Sequence, residues 1–98
     1  MNFIIKVLWL ENSLGVAVNQ SNAGRSNLVT PYYFWPRNNA WDQVQKELNS
    51  KPWISKRQRI LILNRISDIM NHWQKNRKQQ NLVNVKVQFS DIDFVGTL

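Results

Sequence analysis

Cysteine is absent from the 98-residue sequence, which excludes a disulfide framework, a thiolate zinc site and a cysteine nucleophile. Acids are scarce, six against thirteen lysines and arginines, and the one histidine is His72. With no second imidazole at ligand spacing, His72 is expected on ordinary helix surface. Asp91 and Asp93 are too few to hold a cation. Ser55 has no base spaced to activate it and reads as a helix cap. Gly15 and Gly24 stand alone, so no glycine-rich loop cradles a phosphate. No run approaches the ~18 apolar residues of a membrane helix. The opening stretch MNFIIKVLWLEN is broken by Lys6 and precedes no cleavage site, so neither export nor membrane attachment is expected. The sequon Asn19-Gln20-Ser21 then reads as chance. No enzyme, metal site or cofactor is expected.

What the chain has is positive charge, unevenly placed. Residues 1–50 carry four bases against three acids, and residues 79–98 one base against two. Residues 51–78 carry eight bases against Asp68 alone, so the formal excess of +7 sits in that segment. Such a balance points to an anionic partner. Asparagine and glutamine make up 21 residues, scattered between apolar positions and not as a prion-like tract. Amides in place of acids suit packing against a polyanion, and codon bias in an AT-rich genome explains them equally well.

The pattern predicts one domain over 1–98, with a core over about 3–89 and a loose tail at 90–98. Phe3 to Glu11 reads as a buried strand and Leu14 to Asn19 as its hairpin partner, with Gly15 marking a bulge. A polar loop follows at 20–29, then a short strand from Thr30 to Trp35 bounded by Pro31 and Pro36. Asn38 or Asn39 caps a first helix, whose Trp41, Val44 and Leu48 form one stripe. Lys51-Pro52-Trp53 ends it. Ser55 and Gln58 form a capping-box pattern for a second helix running to about Lys78. On that helix Ile62, Ile66, Ile69, Met70 and Trp73 share one face, and Arg57, Asn64, Asp68, Asn71 and Lys75 the opposite one. Val83, Val85, Val87 and Phe89 alternate with polar residues and predict a half-buried strand. The expected class is α+β in two layers: an antiparallel-type sheet with two helices on one face, in the order β-β-(β)-α-α-β.

The basic second helix is the most informative feature, because phosphate contacts need repeated Lys and Arg donors. Lys56, Arg57, Arg59, Lys75, Arg77 and Lys78 are the leading candidates, with Lys51, Arg65 and Arg37 added to them. Arg59 and Arg77 lie angularly near the apolar stripe and are equally placed to contact the sheet or its rim. Tyr32-Tyr33-Phe34-Trp35 beside Arg37 offers rings for stacking on bases. Alternation nonetheless sends Tyr32 and Phe34 one way and Tyr33 and Trp35 the other, so core burial is expected for most. The five tryptophans are expected mainly as core anchors. No RNA-recognition aromatic motif and no helix-turn-helix spacing is present.

The segments VLWLENSLGVAV (7–18), YYFWPRNNAW (32–41), KPWIS (51–55) and NHWQ (71–74) carry a resemblance. Over about residues 3–75 the chain resembles the family of the plastid-specific small-subunit ribosomal protein number three, found in plastids, algae and cyanobacteria. The resemblance implies a structural constituent of the small ribosomal subunit, in a plastid or in a cyanobacterial cytoplasm. It implies 16S-type rRNA and neighbouring small-subunit proteins as partners, no cofactor and no reaction. The isolated chain is expected to be a monomer. The rival reading is a non-ribosomal interaction or regulatory module whose basic helix docks an acidic partner.

Overall fold

The computed structural model describes residues 2–76 and 82–95. Strand β1 (Asn2–Trp9) pairs antiparallel with β2 (Leu14–Asn22) in an unbroken register from Asn2↔Ser21 to Trp9↔Leu14. β2 is central. Its other edge pairs with β3 (Arg25–Leu28) at one end and with β4 (Tyr33–Trp35) at the other. Two helices follow, α1 (Ala40–Asn49) and α2 (Lys56–Asn76), then a short α3 (Leu82–Gln88) and a two-residue β5 (Asp93–Phe94) parallel to β1. The result is the expected two-layer α+β arrangement, a mixed sheet with helices on one face.

Alternation decides which face receives the helices. Ile5, Val7 and Trp9 of β1 and their partners Val18, Val16 and Leu14 all point into one core with Val44, Leu48, Ile66, Ile69 and Trp73. Tyr33 and Trp35 pack against the same core, so the two-residue alternation of the aromatic run is obeyed. Phe34 faces the other way, over Gly15. A Cβ on Gly15 would lie 2.8 Å from the Phe34 ring and 3.1 Å from the Leu8 Cβ. The register is continuous through Leu8↔Gly15, so this glycine makes room for a ring and does not mark the expected bulge.

Three further expectations are corrected. The polar segment 20–29 contains β3, joined to β2 by a two-residue turn with φ +51° at Ala23 and +79° at Gly24, the signs a type I′ hairpin requires. Residues 82–88 are helix α3 and not a strand. Val85, Phe89 and Ile92 are buried while Val87 is 74% exposed, which is i, i+4, i+7 spacing and not alternation. Within the expected tail, Ile92 is buried, Asp93-Phe94 form β5 and the Val95 amide donates to the Val7 carbonyl at 2.9 Å.

Local signals place the helix starts. The Asn39 side chain accepts from the Asp42 amide at 3.2 Å. Ser55 Oγ accepts from the Gln58 amide at 3.1 Å while Gln58 Oε1 accepts from the Ser55 amide at 3.2 Å, closing the capping box. Trp41 ties the helices together by donating its indole N–H to the Leu63 carbonyl at 3.1 Å, and Trp73 ties α2 to the sheet through the Leu10 carbonyl at 2.8 Å.

Candidate nucleic-acid interface

Helix α2 advances about 100° per residue and buries Ile62, Leu63, Ile66, Ile69, Met70 and Trp73. Arg57, Asn64, Asp68, Asn71 and Lys75 are all exposed on the far side, as the spacing predicts. Lys56 and Arg57 occupy its first turn, which contains no acid, and both are exposed. Neither forms an ion pair with a described residue. Cations there oppose the helix dipole, at a cost of typically 0.3–1 kcal/mol each. Helix stability therefore does not account for them. Lys75 lies in the last turn, where the dipole favours it, about 27 Å further along the axis at 1.5 Å per residue.

The remaining candidates divide by what already holds them. The Lys51 side chain is 18% exposed and its ammonium lies 3.1 Å from Glu47 Oε2, while Tyr33 donates its hydroxyl to Glu47 Oε1 at 3.3 Å. Burial, and after it the Glu47 carboxylate, raises the Tyr33 phenol above its ordinary value, so it remains a neutral donor. Glu47 thus joins the end of α1 to β4 through Tyr33 while it holds the Lys51 ammonium. Arg59 is half-buried and donates to the Ile54 carbonyl at 2.7 Å, facing the rim of the fold.

Arg65 is a clamp. Its Nε donates to Asp91 Oδ2 at 2.8 Å and Nη2 to Asp91 Oδ1 at 2.6 Å, with Asp68 Oδ2 3.4 Å from Nη1. Its guanidinium also lies 4.6 Å from the centre of the Phe89 ring. The guanidinium is thus occupied within the fold. Arg37 is exposed in the turn after β4, beside Ser13 and Asn38, at the end of the sheet that Trp73 also reaches. Arg77 and Lys78 lie outside the described residues.

His72 is half-buried, its ring 5.2 Å from Phe89 and 6.2 Å from Trp9, so it belongs to an aromatic cluster and not to plain helix surface. Asp91 faces Arg65, and Asp93 lies 3.9 Å from Lys6. Among the described residues no three His, Cys, Asp or Glu side chains gather as a metal site, and no helix is long and apolar enough to cross a membrane.

The feature that periodicity missed is Trp53. It is 54% exposed, against 1% for Trp9 and Trp73, so not every tryptophan is a core anchor. The available signal was its position in the Lys51-Pro52-Trp53 break, outside every apolar stripe.

Comparison with known proteins matches residues 29–76, which contain β4, α1 and α2, to a family described as plastid and cyanobacterial ribosomal protein (PSRP-3 / Ycf65). A small ribosomal subunit protein cS23 from Gracilaria tenuistipitata var. liui is 40% identical over 95 residues, covering 97% of this chain and 96% of the relative. A probable small ribosomal subunit protein cS23 from Synechococcus sp. (strain JA-2-3B'a(2-13)) is 44% identical over 90 residues, covering 92% and 91%. A small ribosomal subunit protein cS23 from Hordeum vulgare is 41% identical over 73 residues, 74% of this chain and 40% of the relative.

Proposed function

Since the chain belongs to the plastid and cyanobacterial ribosomal protein family PSRP-3/Ycf65, we propose that it is a structural constituent of the small ribosomal subunit, in a plastid or in a cyanobacterial cytoplasm. The family gives it a structural role and no reaction. In this reading the chain binds phosphates of 16S-type rRNA through Lys56, Arg57 and Lys75 on α2, with Arg59 and Arg37 at the rim and Arg77 and Lys78 extending the charge. Neighbouring small-subunit proteins complete the attachment.

One observation supports the RNA reading above the others: two exposed cations with no ion partner among the described residues stand in the first turn of α2, where the dipole disfavours them. A phosphate placed there is favoured by both the side chains and the helix end. Lys51 and Arg65, held by Glu47 and Asp91, contribute to the fold and take no leading part in this contact.

Sucrose-gradient fractionation of a lysate at low and high salt tests the reading. The chain is expected to sediment with the small subunit at low salt and to shift toward the top as salt rises, because phosphate contacts weaken through counterion release. Release by ribonuclease is expected too. A chain that stays in the top fractions at every salt concentration points instead to a soluble acidic partner.

A further inference from the structure

Trp53 sits in the turn between α1 and α2 and is the one indole of the five in the exposed class. A large apolar side chain left in water forgoes the free energy of burial, and among the described residues more than half of this one stays uncovered. Its position is nevertheless fixed. The indole N–H donates to Gln20 Oε1 at 3.3 Å, which orients the ring without burying it. The next residue, Ile54, is buried at 1% exposure, and its carbonyl is held by Arg59. The capping box of Ser55 and Gln58 fixes the chain beyond. The ring is therefore displayed on a rigid turn.

The sequence that follows Trp53 is cationic. Lys56 and Arg57 follow within four residues, and no carboxylate occurs in the sequence between Glu47 and Asp68. An apolar protein surface laid on the ring would strip water from both cations without pairing them. A nucleotide satisfies ring and cations together, through its base face and its phosphates. A paired base offers no free face, so the fit is to a loop or bulge.

We propose that Trp53 is a stacking platform for an unpaired RNA base whose flanking phosphates are held by Lys56 and Arg57. This inference rests on the RNA reading above and adds to it the class of RNA bound.

The test is a binding titration of the full chain with two labelled probes, a 12-nucleotide oligouridine and an 18-base-pair blunt RNA duplex, over a range of salt. Trp53→Ala, Trp53→Phe and Trp53→Leu are compared, each first shown by its thermal melt to be folded. Stacking contributes roughly 1–3 kcal/mol per base, so Trp53→Ala and Trp53→Leu should weaken oligouridine binding about 5- to 150-fold. Trp53→Phe should keep most of the affinity, and duplex binding should not change. Leu serving as well as Phe, or unchanged oligouridine affinity in Trp53→Ala, overturns the stacking role while the salt-dependent binding keeps the RNA reading intact. In that case, weaker incorporation of Trp53→Ala into small subunits assigns the ring to a protein neighbour. A wild-type chain that binds neither probe brings down the RNA reading and the stacking role together.

Discussion

Arg65 on α2 and Asp91 beyond α3 form a two-pronged ion pair, 2.8 Å from Nε to Oδ2 and 2.6 Å from Nη2 to Oδ1. They lie 26 residues apart, and the pair fastens the segment that ends in β5 against the long helix. Phe89, under the same guanidinium and against the His72 ring, is pinned with it.

The clamp makes the docking of β5 sensitive to acid. The Asp91 carboxyl is held below its usual value chiefly by the hydrogen bonds from Arg65, with burial opposing them. A carboxyl depressed in the folded state stabilises fully above its unfolded value of about 3.9 and loses that contribution as pH falls through the folded value. Both partners are partly exposed, so the effect is modest, about 1 kcal/mol or less. Asp91→Asn should lower the protection of the Phe94 and Val95 amides against exchange at neutral pH, and should weaken the loss of that protection in acid. Equal exchange in the two proteins would show that Ile92 burial alone holds the segment.

A second prediction concerns Thr30, which is fully buried where the chain crosses from β3 to β4. Its Oγ1 accepts from the Val18 amide at 3.0 Å and donates to the Pro31 carbonyl at 2.9 Å. The hydroxyl stands in for a strand partner at that point of β2. Thr30→Val keeps the shape and orphans the Val18 N–H, at an expected cost of about 1–3 kcal/mol in urea unfolding. Thr30→Ser should recover most of it.

Gly15 supplies the third. Because a Cβ there would meet the Phe34 ring at 2.8 Å, Gly15→Ala should destabilise the domain by about 1–3 kcal/mol through overpacking. Phe34→Leu in the same chain should relieve part of that loss, and a double-mutant cycle reads the coupling.

The fourth separates binding from folding. Replacing Lys56, Arg57 and Lys75 with Gln should weaken RNA association and flatten its salt dependence by about 2–3 in log–log slope, since each phosphate contact contributes roughly 0.7–0.9. The thermal melt should hold or rise slightly, as two of the three charges oppose the α2 dipole. An unchanged salt slope would remove these three from the contact surface.

Most of the fold is legible in the sequence because it rests on local rules. The Asn39 cap, the Ser55–Gln58 box and the apolar stripe from Ile62 to Trp73 each follow from spacing within a few residues. So does the outward placement of Arg57 and Lys75, because a helix with one buried face must present its opposite face to solvent. The positive charge of α2, and with it the expectation of an anionic partner, is likewise a property of the sequence.

What the tertiary structure decided involves distant partners. By alternation Val83, Val85, Val87 and Phe89 predict a strand, and the helical spacing of the buried Val85, Phe89 and Ile92 becomes evident only in the fold. That stripe is buried in the shared core, with Phe89 5.2 Å from the His72 ring of α2. Arg65 and Arg57 are the same residue type on the same helix, yet Asp91 commits the first to the fold while the second stands exposed in the first turn with no ion partner among the described residues. Trp53 and Trp73 differ for the same reason: the first meets Gln20 at the surface, while the second is buried and meets the Leu10 carbonyl at the end of β1. Sequence sets which faces a helix has, but only packing decides what each face finds opposite it, because those contacts join residues far apart along the chain.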